Sequence, residues 1–494
     1  FTAVLFDVAD KFQYPNHPAL AHETALADGE AAEVAGIFTD RSLEIIPLLP
    51  AIGEAAFVVR HRAYARLRAA ADGTRLVDPA KALARQVMAE MLDGILDAFD
   101  PPSYVHLGGL GVGQLDGQGG SRAEACLGCV MPLFERLEQG GLRPMLWADA
   151  PLAEPALLDR LPKSVVLVVR DDWSAGARAS TLHYWPGHRT VDRAEYLRLD
   201  DRAVRRVFDP YVLDAAGERD GTFPAFAYVD LLHDRGFDVV TASSGRGVGD
   251  TVGLADLTRH LPNVYHSAAR GTRRGLGHVM TSWANEHNHP DCAMPCVFAA
   301  ARGAAGRDRF AVERVIEAFT EDLHGQAMPD LAAVVERFAT PAPFSRAREI
   351  RAAMRMCEQG EDPVKRYVEA IRAADQVDAS DISPDRAMTQ LDDAQQRIRR
   401  SLAQVHADKA RARRHPEPFD HWLEGILLIT FFNEFALTAL AGRLAEQRNH
   451  LLQQLDQLKA RTRELFAATY EPLSVEEELA VRYGFHEMYL ERFV

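Results

Sequence analysis

The sequence predicts an α/β fold, a (β/α)8 barrel of the TIM type, followed by an all-α helical domain. Three observations carry that prediction. Seven short apolar runs, each closed by a polar, glycine or tryptophan residue, alternate with helical patterns across residues 1–306. The third run leads into Tyr104-Val-His-Leu-Gly-Gly-Leu-Gly-Val-Gly-Gln-Leu-Asp-Gly-Gln-Gly-Gly-Ser121. A strand that gives way to glycines marks a place where backbone must approach something closely, as at the C-terminal rim of a barrel. From about residue 307 the apolar period becomes helical and stays so to Val494.

At 494 residues the chain exceeds what one hydrophobic core supports, so two domains are expected, at 1–306 and 307–494. With 47% hydrophobic and 26% charged residues it falls in the ordinary globular range. The formal net charge of -15 argues against nucleic acid or an anionic membrane surface as the main partner. Five scattered cysteines do not make a disulfide scaffold, and the expected setting is a reducing cytoplasm. Residues 425–442 are the most apolar stretch, but they contain Asn433 and Glu434 and read as a buried helix rather than a membrane span. No leader is visible, and Phe1-Thr-Ala-Val-Leu-Phe-Asp7 is already a strand pattern, so the chain is expected to begin in mid-architecture.

Taken in order, residues 3–6 form the first strand and end at Asp7. Residues 28–40 place Val34, Ile37 and Phe38 on one side of a helix. Residues 43–49 are rich in branched side chains, as a strand buried on both faces should be, and are followed by Pro50-Ala-Ile-Gly-Glu54. Helices are predicted over 57–71 and 79–99, before the strand at Tyr104. Residues 143–146 end in Trp147-Ala-Asp149, and 164–169 end in Arg170-Asp171-Asp172-Trp173. Residues 237–241 end in Ser243-Ser-Gly-Arg246, and 277–281 run out to Trp283 and Glu286. The longest connection, about 174–230, carries His183, Tyr184, Trp185 and His188 and reads as a lid or subdomain. Beyond it, Val312, Val315, Ile316, Phe319 and Leu323 share a helical face that Gly325 caps. Ser383-Pro384 opens a helix carrying Leu391, Ile398, Leu402 and Val405. Leu444, Leu451, Leu458 and Leu465 recur every seven residues; because Arg448 and Thr462 interrupt the companion seam, a bundle helix is favoured over a coiled coil.

His106 and Gly108, followed by small residues, resemble the signature strand of glycoside hydrolase family 20, the β-N-acetylhexosaminidases, in its hexosaminidase D-like branch. That family reads His-x-Gly-x-Asp-Glu here, and Leu110 and Gly111 stand in the positions of its Asp-Glu pair. Phe6-Asp-Val-Ala-Asp-Lys-Phe-Gln-Tyr14 resembles the acidic loop after the family's second strand, with Asp7 in the first acidic position and Ala9 in the second. Pro50-Ala-Ile-Gly-Glu54 resembles Gln-Thr-x-Gly-His, with Glu54 in place of the histidine. Trp147-Ala-Asp149 and Thr281-Ser-Trp283 resemble strand ends that wall the family's sugar pocket. The resemblance implies a barrel whose first strand is missing from this chain and a pocket suited to an N-acetylated amino sugar. In the family the substrate's acetamido oxygen attacks, the Asp orients it and the Glu is general acid/base. Such chemistry needs a carboxyl group beside the glycosidic oxygen, and leucine and glycine transfer no protons.

The expected ligand-binding set is therefore Asp7, His106, Trp147, Asp149, Asp171, Trp283 and Glu286. Indole faces stack on sugar rings, although a tryptophan capping a barrel core would look the same in sequence. Relocation of the acid is the competing idea, with Glu54, Asp149 and Glu286 as candidates among rim carboxylates that include Asp10, Asp116 and Asp172. Each such carboxylate taken singly is more often a solvated group or a helix cap. Cys126, Cys129, His287, His289 and Cys292 (with Cys296 beyond) have zinc-like spacing, but unmetallated loop residues are favoured and no cofactor is expected. Gly245-Arg-Gly-Val-Gly249 resembles a phosphate cradle without the spacing of a nucleotide fingerprint. The expected function is non-hydrolytic binding of an amino sugar or similar small molecule, with the C-terminal helices open to a protein partner or a second copy. The alternative is an enzyme, either a hexosaminidase with a relocated acid or a barrel with new, metal-dependent chemistry.

Overall fold

Seven strands make one sheet: β1 (Ala3–Asp7), β2 (Glu44–Leu48), β3 (Tyr104–His106), β4 (Arg143–Trp147), β5 (Val166–Arg170), β10 (Val239–Arg246) and β11 (Gly277–Ser282). The intervening β6 (Arg178–Ala179), β7 (Thr181–Tyr184), β8 (Arg189–Asp192) and β9 (Phe223–Pro224) lie in the insertion. The computed structural model describes residues 2–51, 53, 55–69, 76–110, 121–247, 249–283, 287–306, 309–336, 343–375, 384–470 and 472–494. The sheet follows chain order, β1-β2-β3-β4-β5-β10-β11, and is a near-closed parallel barrel of the predicted seven strands. β1 and β11 are its two ends. The chain divides into two compact units, Phe1–Ala242 with His266–Val279, and Ser243–Tyr265 with Met280–Val494.

In the first unit, alternation along each strand sorts side chains into two cores. Ile46, Met145, Val166, Val168, Val240 and Ala242 fill one. Ile45, Val105, Leu146, Leu167, Val169 and Val239 enter the other. There they join Val87, Met88, Met91, Leu92 and Ile95 of the helix Ala82–Phe99, with Val130, Leu133 and Phe134 of the helix Ser121–Gln139. Each large side chain so buried contributes about 1.5–3 kcal/mol.

The helix predicted over 57–71 is not one helix. A single turn, Ala56–Val59, is followed by extended His61 and a 3-10 segment, Arg62–Leu67. Phe57, Val58 and Val59 are all buried, and three consecutive residues cannot share one face of a continuing amphipathic helix.

The insertion is a small subdomain within the first unit. β6 pairs antiparallel with β9, and β7 with β8. The hairpin turns at Trp185-Pro-Gly-His188, where Gly187 takes φ 83° and the His188 N–H donates to Trp185 O at 2.9 Å. Proline followed by a glycine with positive φ is a type II turn. A capping box of Asp192 and Glu195 starts the next helix, Arg193–Leu197.

The second unit is built on the helix Pro418–Leu440, the one described helix long and apolar enough to cross a membrane, and it is mostly buried within the unit. It packs against Pro384–Arg411 and Leu444–Ala467, and the latter packs on Pro472–Arg492. Leu451, Leu455, Leu458, Thr462 and Phe466 are the buried face of Leu444–Ala467, a bundle helix. Gly325 caps Val312–His324 with φ 73° as expected, whereas Ser383 lies outside the described residues. At the centre, Arg482 is wholly buried and donates to both oxygens of Glu424 at 2.9 and 3.0 Å. Thr462 Oγ1 also donates to Glu424, at 2.6 Å.

Gly425 lets this helix touch the chain at Gly253, since a Cβ at 425 would stand 2.5 Å from Gly253 O. Gly425→Ala should therefore destabilise by about 1–3 kcal/mol through overpacking, although alanine is the better helix former. Gly36→Ala, on an exposed helix with nothing within 4 Å, should stabilise by about 0.5–1 kcal/mol. Urea unfolding of the two variants checks the opposite signs.

Candidate functional site

The strand ends of the first unit carry its polar groups. β3 continues as His-Leu-Gly-Gly, with Leu107 N–H on Met145 O and Trp147 N–H on Gly108 O at 2.9 and 3.0 Å. Gly108 has φ 70°, and a Cβ there would stand 3.0 Å from Pro50 Cα, so no other residue fits without strain. His106 is wholly buried, accepts from the Gly108 N–H at 2.9 Å through Nδ1 and lies 4.7 Å from the Trp147 ring. Burial pushes its pKa down to about 3, so the imidazole is neutral. Its Nε2 has no hydrogen-bond partner among the described residues. Four residues on, Leu110 is fully buried in the apolar core, and its carbonyl accepts from Cys126 Sγ at 3.4 Å.

On the neighbouring strands, Arg170 stands between two carboxylates, 3.4 Å from Asp149 and 3.9 Å from Asp172. Its guanidinium lies 5.9 Å from the ring of Trp185. Asp171 is buried and accepts from Trp173 N, Ser174 N and Ser174 Oγ at 3.1, 2.9 and 2.7 Å. Desolvation pushes its pKa up to about 6 against the pull of those bonds. The insertion hairpin delivers an aromatic wall to this place. His183 is 5.0 Å from Trp173 and 4.5 Å from Trp185, and His188 is 5.8 Å from Trp185. Tyr228 fixes the hairpin by donating to His183 O at 2.7 Å. Trp185 is 1% exposed, and its indole N–H meets no acceptor among the described residues. Asp7, by contrast, is half exposed and pairs with Lys11 at 3.7 Å.

So His106 and Trp147 are brought together, and Asp149 pairs with Arg170 from the adjoining strand end, whereas the Asp171 carboxylate turns to its own loop. Glu54, Gly111, Asp116 and Glu286 lie outside the described residues. Trp283 belongs to the second unit, where its N–H donates to Arg246 O at 3.3 Å. Sequence reading passed over the partnership of Arg170 with Trp185, which nothing local announces.

The cysteine and histidine candidates are divided between the units. Cys126 and Cys129 sit one turn apart on a helix of the first unit, buried in its apolar core, and burial pushes the Cys129 thiol up to about 11. In the second unit, Cys292 Sγ donates to Gly253 O at 3.6 Å and Cys296 Sγ to Gly245 O at 3.7 Å, and burial raises both thiols. His287 Nδ1 is 3.1 Å from Glu478. Only His289 joins a ligand-like group, whose atoms from His289, Asp291 and His421 lie within 4.8 Å of one another. His421, far along the chain on a helix with no motif, could not have been found from spacing.

The fold and these strand ends define a (β/α) barrel whose rim bears an aromatic wall, a clamped arginine and an uncharged histidine. No family model matches the chain. It is similar to hexosaminidase D of Bos taurus, 26% identical over 159 residues that make up 30% of this chain and 46% of that protein. Among solved structures it is similar to the β-N-acetylhexosaminidase from Bacteroides fragilis NCTC 9343, at 15% identity and a TM-score of 0.43 over 64% of this chain and 62% of that one. Flavobacterium johnsoniae chitobiase gives 14% and 0.43 over 92% and 70%. An enzyme of glycoside hydrolase family 138 targeting pectin rhamnogalacturonan II gives 10% and 0.41 over 98% and 75%. In sequence the barrel resembles glycoside hydrolase family 20, and the matched segment takes in under half the length of the curated relative.

Asp171 offers a direct test of the rim's electrostatics. Its folded pKa of about 6 lies above the ordinary 3.8, so the folded state holds the proton more tightly. Its contribution to stability is full below the lower value and is lost as pH rises through the higher one. Asp171→Asn should remove a pH-dependent difference of roughly 3 kcal/mol, at about 1.4 kcal/mol per pH unit. Urea unfolding of both proteins between about pH 4 and 7 checks this, and parallel pH profiles would contradict it.

Proposed function

We propose that the barrel binds a small polar ligand, with an N-acetylated amino sugar as the leading class, and does not hydrolyse it. The observation that carries this reading is Leu110. It stands where the resembling family has its acetamido-orienting carboxylate, and it is fully buried among apolar side chains. General acid catalysis supplies on the order of 10²–10⁴-fold, and the next position, where that family has its acid, holds Gly111, which transfers no proton. The Trp147–His106 pair and the wall of Trp173, His183 and Trp185 support a retained ligand surface, since stacked rings with a polar edge suit a sugar face. Five free cysteines support a reducing, cytoplasmic setting.

The second reading keeps catalysis and moves the acid. Asp171 favours it, because a carboxyl with a pKa of about 6 can deliver a proton near neutrality. Against it, three donors from its own loop already hold that carboxylate.

Purified protein should release no product above background from an aryl N-acetyl-β-glucosaminide. Titration calorimetry should detect N-acetylglucosamine with a Kd on the order of 1 mM, about 4 kcal/mol, and Trp147→Ala should abolish the heat. Robust turnover lost in Asp171→Asn or Glu54→Gln would replace the first reading with the second. Absence of both turnover and binding would sink both readings.

A further inference from the structure

The stretch Gly245-Arg-Gly-Val-Gly249 was the one motif left without a role. Arg246 is the last residue of β10, lies in the second unit and is 5% exposed. Its Nε donates to Ser282 Oγ at 2.6 Å. Among the described residues no other hydrogen bond reaches its guanidinium, and no carboxylate oxygen stands within 4.0 Å of it.

Comparable buried charges among the described residues of this unit are matched. Arg482 has Glu424 at 2.9 Å and Glu478 at 3.3 Å. Asp250, wholly buried and four residues from Arg246, is already held by Arg259 and His260 at 2.9 Å each and by the Gly247 N–H at 2.9 Å. The carboxyl of Glu478 is engaged by His287 and Arg482. A guanidinium does not shed its proton near neutrality, so the Arg246 charge persists where burial makes it expensive. Desolvation lowers its pKa from the ordinary value; of the groups that act against this, Tyr470 and Cys292 are uncharged near neutrality, and the carboxylates of Glu478 and Asp250 contribute less.

A second buried donor without an acceptor belongs to the same unit. His289 is 4% exposed, and its Nδ1 accepts from the Asp291 N–H at 3.2 Å, which leaves the ring proton on Nε2. That Nε2 has no partner among the described residues. Gly247, the residue after Arg246, is packed closely, since a Cβ there would come 2.9 Å from Ser244 Oγ and 3.2 Å from the Trp283 ring.

We propose that Arg246 anchors an oxyanion site in the second unit, taking the carboxylate of an acidic sugar or a phosphate monoester, with His289 Nε2–H as a second donor. A bidentate guanidinium–oxyanion pair would take up the two Nη groups that the Ser282 contact leaves without a partner. The site is independent of the ligand reading for the first unit. A cation on His289, Asp291 and His421 is the competing occupant of this region. The two imidazoles lie face to face at 3.3 Å and 3°, so their in-plane lone pairs do not converge on one ion. The guanidinium charges of Arg246 and Arg482 also act against a cation beside His289.

The test is thermal unfolding and titration calorimetry of the full chain at constant ionic strength, with inorganic phosphate, glucuronate and chloride, and separately with Zn²⁺. Phosphate or glucuronate should raise the Tm where chloride does not, and whichever acts identifies the source of the oxyanion. Arg246→Gln should bind at least about tenfold more weakly, and Arg246→Lys should fall between it and the unmodified protein. In the unliganded protein, Arg246→Met should unfold at the same or a higher temperature, because it removes an uncompensated buried charge. A lower Tm would mark Arg246 as a structural residue already satisfied within the chain and overturn the proposal. So would equal responses to phosphate, glucuronate and chloride, or an oxyanion effect that survives in Arg246→Gln. A Zn²⁺ shift lost in His421→Ala, with no oxyanion effect, would assign the region to a cation instead.

Discussion

A strand covered on both faces has little room for a charged side chain between its ends. Val166, Leu167, Val168 and Val169 show the constraint, with alternate members entering two different apolar cores and none reaching solvent. Backbone donors and acceptors are spent in the ladder, so chemistry is confined to the residues where pairing stops. His106, Trp147, Asp149, Arg170 and Asp171 all stand at such ends or just past them. The position of Leu110 takes its meaning from the same rule. Past the end of β3, where polar groups become affordable, the chain places another core residue.

The second unit meets the opposite difficulty. Its helices bury several charges, and each must be matched or leave a cost of several kcal/mol. Around Arg482 the match is close to complete, with Glu424 held by Arg482, Thr462 and Tyr483 and the guanidinium completed by the His287 carbonyl at 2.6 Å. Such networks contribute more to the uniqueness of the packing than to its net stability. Against that background a lone cation at a strand end is conspicuous.

The sequence disclosed the barrel well because the constraint on its strands is local. Continuous apolar runs with abrupt polar ends can be read residue by residue, and all seven strands emerged from them. The segment 57–71 misled because its apolar residues are consecutive, a pattern that suits a buried turn as well as a helix. The rim was only half legible. Trp147 and His106 sit beside their strands in sequence, whereas Trp185 and His183 reach the rim by tertiary folding of an insertion. His421 and Arg482 stand beside His287 and His289 only because helices well over a hundred residues later pack there. No periodicity encodes that meeting.

The hairpin turn at Pro186 and Gly187 has a consequence for how such a protein changes over time. It carries Trp185 and His183 on a segment that shares no ladder hydrogen bonds with the seven-stranded sheet. Replacing those residues alters the aromatic wall and leaves the strand register untouched. The aromatic wall and the barrel's ladder are thus written in separable stretches of chain, so selection can rework the first without endangering the second.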